Sequence, residues 1–538
     1  DGAPYLGPVT LSAGVHALEA RFAVTGTGDL PVEVFMGPSG GTPVSVPGVD
    51  LTHDASADAP VINGMTAEGS SLGGNVVVID GFGFFPEDQV TVHWDSDDLT
   101  ERDFVSWSAT RIVLLSPPHA AGPIDVSVVT PAGTSGLAGF TYLAGGPPPI
   151  TFELATVATM TRPTCGTWGQ DGRFYVGRRF GQITALTFDD DYNVVSSQAY
   201  PAVSGLSNYE ILGITTNPWD PPSPVRLYVA HSQLYAQGGG PFTDPAPYPG
   251  QISVLEGPLF DTPVPYITGL PTSNHDHAVN GLSFDNNGDL LISVGSNTNG
   301  GVAWPAMGDM DEGPLTAAIL KARTSAPSFN GAITYVETVG GAPNDDQGDS
   351  AIVDVAPGVD VEVQASGFRN AFDLVYTTQG RVYATDNGPN STFGPASTGP
   401  STQTGGDAVG PDEFLHVERG RYYGHPNRNR GRTDARQNVH YGTGGPDVPG
   451  VFAQTLQPLS SSVDGIDEYR ATTFQSQMRG EILVQRWNGA TQRVALSPDG
   501  REVTALTAIL PTSSALGLRT GPGGAAVLMD FSTNSVKT

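Results

Sequence analysis

Gly367-Phe368-Arg369-Asn370 and, one strand later, Gly380-Arg381-Val382-Tyr383-Ala384-Thr385-Asp386-Asn387-Gly388-Pro389-Asn390 decide how this chain reads. In the first stretch a guanidinium and an amide stand side by side ahead of a strand. In the second a glycine turn opens an alternating strand that ends in a Gly-Pro-Asn turn, whose backbone carbonyls can point outward. The turn-then-strand unit recurs as Asp171-Gly172-Arg173-Phe174-Tyr175-Val176 and, without the glycine, as Val225-Arg226-Leu227-Tyr228-Val229-Ala230. It returns at Asn287–Ile292, Gln379–Ala384, Arg479–Val484 and Gly523–Leu528, six copies in all. Six such units suit six four-stranded blades that bury their faces against neighbours around a channel. A pair of β-sandwiches is the competing architecture.

Composition agrees with an all-β chain. Gly 69 and Pro 45 of 538 residues supply many turns, while hydrophobic residues at 38% are too many for disorder, and no long amphipathic helical period occurs. The formal net charge is −30, with Lys321 and Lys537 the only lysines. Such a chain repels phosphate backbones, which argues against nucleic acid as a partner. A single cysteine, Cys165, excludes an intramolecular disulfide framework without excluding an extracellular location. No apolar run approaches the ~20 residues of a membrane span. The start at Asp1 lacks a signal-peptide pattern and reads as a processed or cut end.

Two smaller modules precede the repeats. Residues 59–144 give strands at Pro60–Met65, Gly73–Ile79, Val90–Trp94, Ser108–Val113 and Ile124–Thr130, separated by glycine and proline turns, the spacing of a small sandwich. Their order resembles an IPT/TIG immunoglobulin-like domain, a module that usually serves as spacer or interaction surface. Residues 1–58 carry Leu11-Ser12-Ala13-Gly14-Val15-His16 leading into an alternating strand, and resemble the closing hairpins of PA14-type β-sandwiches. Their shortness makes them a C-terminal remnant. Residues 145–150 include Pro147-Pro148-Pro149 and read as a stiff linker to the propeller at 151–538.

Residues ~150 to 535 resemble the glucose/sorbosone dehydrogenase family, six-bladed β-propellers whose best-known enzymes use pyrroloquinoline quinone (PQQ) and calcium. The resemblance rests on Asp276-His277 ahead of a strand that opens with Gly281, on Arg369-Asn370, and on Gly388-Pro389-Asn390. It implies that His277 is a general base oriented by Asp276, a role that imidazole chemistry suits. A structural histidine, or half of a metal pair with His275, is the alternative. It also implies that Arg369 and Asn370 contact the quinone and that Gly388 and Pro389 give carbonyl oxygens to calcium. The same dipeptides recur in inactive propellers of this superfamily, where they pack the blade.

Three features depart from the pattern. Asn208 stands where the family has a glutamine. Arg486 and Arg519 are the only cations near the places of a lysine and an arginine pair that neutralise the cofactor, and Lys321 belongs to a blade strand. A low-complexity insertion, residues 391–406, follows the calcium turn, and Asn390-Ser391-Thr392 is an N-glycosylation sequon at its start. A glycan on Asn390 would obstruct the site. Downstream, Gly420-Arg421-Tyr422-Tyr423-Gly424-His425-Pro426 matches a family turn with His425 in a tryptophan's place, amid arginines that suit surface carboxylates, an acidic polysaccharide or an acidic neighbour.

Two functions of different class follow. One is a secreted or cell-surface structural and interaction protein, associated with carbohydrate or neighbouring subunits and assembled as a homo-oligomer or filament. The other is a PQQ- and calcium-dependent aldose dehydrogenase. The missing cofactor-neutralising cations, the insertion and the adhesion-type modules favour the first.

Overall fold

The computed structural model describes residues 59–84, 89–144 (except 102), 150–206, 210–232, 248–339 (except 311), 352–397, 403–425 and 453–538 (except 461 and 472). It also describes the short paired strands Val34–Met36 and Val44–Val46. The rest of the PA14-like segment lies outside the described residues. The chain divides into two compact units, Asp1–Gly146 and Pro147–Thr538.

In the first unit, one sheet orders the strands Val61–Met65, Val76–Phe82, Arg111–Leu115 and Phe104–Ser108. The other is built around Gly122–Thr130, flanked by Ala138–Leu143 and Thr91–Trp94. Alternation along Arg111–Leu115 turns Ile112 and Leu114 inward, and these meet Val92, Trp94, Val126 and Phe140 in one core. The buried Trp94 indole satisfies its N–H on the Tyr142 hydroxyl at 2.8 Å, and that hydroxyl donates to the Pro117 carbonyl.

The second unit holds six four-stranded antiparallel sheets. Their first, innermost strands are Pro163–Trp168, Glu210–Thr215, Val279–Phe284, Ala371–Tyr376, Val463–Glu468 and Ala515–Thr520, which define blades 1 to 6. Each innermost strand touches the next, and blade 6 touches blade 1, so the ring closes. Closure is also made along the chain: Thr156–Thr159, from before blade 1, pairs with Ser535–Lys537 as the outer strand of blade 6. This tie holds the first and last parts of the propeller together.

Every copy of the sequence repeat lands on the second strand of a blade. Leu290–Val294, Val382–Asp386 and Ala526–Asp530 are buried at all five positions, because both faces of a blade pack against neighbours. Glycine in the innermost strands answers a different need. A Cβ on Gly213 would lie 2.0 Å from the Asn280 carbonyl oxygen, and one on Gly281 2.3 Å from Asp373 Oδ1. The strands crowd toward the channel axis at these points, and no side chain fits.

The insertion after Asn390 is not a featureless loop. It folds back as a hairpin, Pro395–Ser397 against Gln403–Asp407, between the second and third strands of blade 4. A corresponding hairpin in blade 3, Tyr335–Val339 with Ile352–Val355, precedes its outer strand Val361–Ser366.

Candidate ligand cavity at the channel mouth

Innermost strands that start at one end of the ring bring their entering turns together there. Those of blades 3 to 6 enclose a cavity of about 580 Å³. His277 and Asp276 enter from blade 3, Arg369 and Asn370 from blade 4, and Asp464 from blade 5. Asn387 and Asn390 come from the end of the second strand of blade 4, and Asp412 from the start of its third.

His277 is 2% exposed and fixed in orientation. Its Nδ1 lies 2.8 Å from the Ser296 carbonyl oxygen, which can only accept, so Nδ1 carries the hydrogen and Nε2 a lone pair. Burial, reinforced by the Arg369 charge, lowers its pKa to about 3, so the ring is neutral at physiological pH. Asp276 Oδ1 lies 3.8 Å from His277 Nε2 and takes a hydrogen bond from His275 Nδ1 at 2.6 Å. Burial opposes ionisation of Asp276, but the His275 hydrogen bond and the Arg369 charge hold its carboxyl well below the usual range. His275 is thus tied to Asp276 through its Nδ1.

Arg369 is 5% exposed, and its guanidinium is engaged: Nε donates to Asn299 Oδ1 at 3.1 Å and Nη1 to the Asn387 carbonyl at 3.2 Å. Burial lowers its pKa from the ordinary arginine value. Asp386 accepts the backbone N–H groups of both Arg369 and Asn370, at 3.0 and 2.7 Å, which sets the dipeptide's conformation. Asn370 Oδ1 accepts from Asn280 at 3.0 Å. The Asp-Asn-Gly turn and the Arg-Asn pair are therefore one hydrogen-bonded unit.

Carboxylates dominate the wall beyond it. Asp412 Oδ1 accepts the Gly388 N–H at 2.9 Å, and the Pro389 carbonyl accepts the Gly410 N–H at 3.1 Å. Asp464 is 1% exposed; Oδ1 takes the Ser462 hydroxyl at 3.1 Å, and Oδ2 has no partner. Burial pushes Asp412 up to about 6, Glu413 to about 7 and Asp386 to about 8, and carries Asp464 well above the ordinary carboxylate value.

The other sequence candidates are placed as follows. Arg486 approaches from blade 5, but its guanidinium bonds the carbonyl and hydroxyl of Ser460, at 2.6 and 2.8 Å. Arg519 is not brought to this cavity: Asp373 holds it inside the ring at 2.7 Å, facing the opposite mouth. Lys321 pairs with Asp285 and Asp289, at 2.8 and 3.0 Å, on its blade strand. Asn208 lies outside the described residues. Asn390 is exposed at the cavity rim.

Two positioning groups were not anticipated. Asn299 Nδ2 faces the carbonyls of Asn390, Gly394 and Ala408, at 2.8, 3.1 and 3.2 Å, while Oδ1 accepts from the Asn390 N–H and Arg369. It ties both ends of the insertion to the arginine. Glu312, fully buried, accepts from Thr298, Thr316 and His425 Nε2, the last at 3.2 Å. Burial works against its charge, yet His425 and the hydroxyls hold its carboxyl below the ordinary value. Nothing in the local pattern around Asn299 or Glu312 marks them; their partners come from other blades and turns.

PQQ carries three carboxylates and needs cations to meet them. The described lining offers three carboxylates, Asp276, Asp412 and Asp464, against the single guanidinium of Arg369. The donor set does not fit that cofactor. For calcium, the Pro389 carbonyl is already accepting from Gly410, and no three His, Cys, Asp or Glu side chains converge as a cage among the described residues.

Comparison with known proteins bears on both units. No curated protein matches the chain. Similar solved structures include an oxidoreductase (glucose dehydrogenase) from Thermus thermophilus, 18% identical over 72% of this chain and 98% of that one, TM-score 0.46. Another is the holo form of the pyranose dehydrogenase PQQ domain from Coprinopsis cinerea, 13% identical over 71% and 94%, TM-score 0.46. A calcium structure of a Trichoderma reesei carbohydrate-active enzyme of family AA12 is 14% identical over 72% and 94%, TM-score 0.42. Residues 60–142 match the IPT/TIG domain family.

Proposed function

We propose that this is an extracellular recognition protein in which a dehydrogenase-type propeller serves as a rigid body that binds a small polyhydroxy ligand, of carbohydrate class, without PQQ chemistry. The observation that carries this reading is the acidic make-up of the described cavity lining: three carboxyl groups against one guanidinium, which is bonded to Asn299 and Asn387. A volume of about 580 Å³ suits a sugar-sized ligand. Asn370, Ser460 and the His277 Nε2 lone pair supply hydrogen-bond partners for hydroxyls, and Phe372 and Phe393 supply faces for C–H groups. Assembly with further copies belongs to the same reading, whereas a glycan on Asn390, exposed at the rim, would obstruct the cavity and counts against it.

Titration of the full chain with PQQ in millimolar calcium, alongside an aldose panel, tests this. The expected result is sugar binding without quinone binding or dye reduction. Tight quinone binding with turnover overturns it. The dehydrogenase reading retains one specific observation, the neutral and oriented His277 imidazole, which is the state that a proton acceptor needs.

A further inference from the structure

Blade 1 carries opposite charge at its two ends. At the end that bears the cavity, the turn Arg178-Arg179-Phe180-Gly181 joins the second strand, Phe174–Arg178, to the third, Ile183–Phe188. The Gly181 N–H closes it on the Arg178 carbonyl at 3.0 Å, and the Arg179 N–H donates to the carbonyl of Arg162 at 2.9 Å. Three arginines thus meet in a chain of formal net charge −30. Only Arg179 has a carboxylate partner among the described residues, with Nε 2.9 Å from Glu210. Arg178 Nε donates to the Thr161 carbonyl at 3.1 Å, and the Arg162 guanidinium lies over the Phe531 ring, 4.6 Å from its centroid. Burial alone lowers the Arg178 pKa from the ordinary arginine value, and no acid acts on it. A guanidinium keeps its proton under such conditions, so the charge remains.

The other end of the same blade is acidic. The third strand ends at Phe188, and Asp189-Asp190-Asp191-Tyr192-Asn193 turns into the outer strand Val194–Tyr200. Asp189 Oδ1 accepts the N–H groups of Asp191 and Asn193, at 3.0 and 2.8 Å, and the Tyr192 hydroxyl accepts the Gly523 N–H at 2.7 Å. These bonds fix the turn. Asp190 and Asp191 are exposed, and their carboxylates have no hydrogen bond or ion pair among the described residues.

The two turns cap opposite ends of one strand, about 20 Å apart, so they do not pair within a molecule. A second copy can bring one turn to the other with no rearrangement. Two copies otherwise repel, since 55 acidic side chains outnumber 25 basic ones, and the arginine turn is where that repulsion reverses. Phe180, 40% exposed beside Arg179, adds apolar surface. Blade 1 gives no residue to the described cavity lining and stands across the ring from blade 4.

Resting on the assembly part of the reading above, we infer that copies of this chain join end to end, with the arginine turn of blade 1 in one copy against the aspartate turn of blade 1 in the next. The two surfaces differ, so the contact is heterologous and extends into a row of copies.

Sedimentation velocity of the full chain over a range of protein concentration tests the inference. Association should occur at about 50 mM salt and weaken at least tenfold at about 500 mM. Arg178→Glu and Asp190→Lys, each checked for native circular dichroism, should each abolish association alone, because each places like charges in contact. The two variants mixed in equal amounts should associate again, since both contacts of an alternating row then join opposite charges. Association that neither variant weakens overturns this interface and leaves the assembly reading standing. Loss in both variants without recovery in the mixture overturns the pairing of these two turns. A chain that stays monomeric at low salt overturns the interface and the assembly reading together.

Discussion

At one end of the propeller channel, Arg519 lies 2.7 Å from Asp373 and donates to the Ile466 and Leu518 carbonyls; Asp467 takes the Thr520 N–H and hydroxyl; Glu468 takes Thr378 and Arg470. At the other end, Asp464 keeps an oxygen without a hydrogen-bond partner, and Asp412 and Asp276 line the cavity with no arginine or lysine in salt-bridge contact among the described residues. Both ends are concave. The first holds about 740 Å³ and is lined by the last residues of all six innermost strands, among them Thr167, Thr215, Phe284, Tyr376, Asp467 and Thr520. Concavity is thus a property of the ring, whereas unmet charge is a property of particular turns. Only the second distinguishes a recognition site from a structural funnel.

The strongest way to break this contrast is at the satisfied end. Arg519→Met leaves Asp373 buried without its partner and should destabilise the propeller by about 3–5 kcal/mol in urea unfolding. A loss below ~1 kcal/mol would mean that the pair is not structurally committed. Asn299→Ala should come next, at roughly 2–3 kcal/mol, because it strips partners from Arg369 and from both ends of the insertion. Limited proteolysis should then cut within residues 391–407 faster than in the unaltered chain. Unchanged cleavage would show that the hairpin holds itself.

The acidic end predicts a pH dependence of defined sign. Folded-state values of about 6 for Asp412, 7 for Glu413 and Glu210 and 8 for Asp386 all lie above unfolded values near 4. The folded protein therefore binds more protons than the unfolded chain between about pH 4 and 8, and stability falls as pH rises through that window. A loss of roughly 1–2 kcal/mol between pH 5 and 8 is expected, after discounting for screening. Asp464→Asn should flatten the curve. A stability that rises toward pH 8 in both proteins contradicts the picture of unmet charge. The smallest expected effect is at His277: its imidazole NMR signals should not move between pH 5 and 8, since its pKa lies at about 3. A titration midpoint near 6 would show that the ring is wetter than its burial implies.

The second-strand repeat was legible because burial on both faces forces the same apolar run six times, as in Leu290–Val294 and Val382–Asp386. The dipeptide Arg369-Asn370 and the turn at Asp386-Asn387 could also be read as neighbours, and Asp386 joins them through two backbone N–H groups. Arg519 misled for a physical reason: its place in blade 6 suggests the cofactor end, but Asp373 of blade 4 turns it toward the other. Charge on a side chain does not reveal which mouth it serves.

Sequence alone determined the all-β class, the six-fold repeat and the sandwich before it, because turn chemistry and strand burial are local and periodic. Tertiary structure alone decided that Asn299 holds the insertion to Arg369, that Glu312 meets His425, and that Asp464 stands beside Asp412 with an oxygen left over. Those relations join blades far apart along the chain. They arise only when the ring closes, since closure fixes which turns face each other and which charges go unanswered.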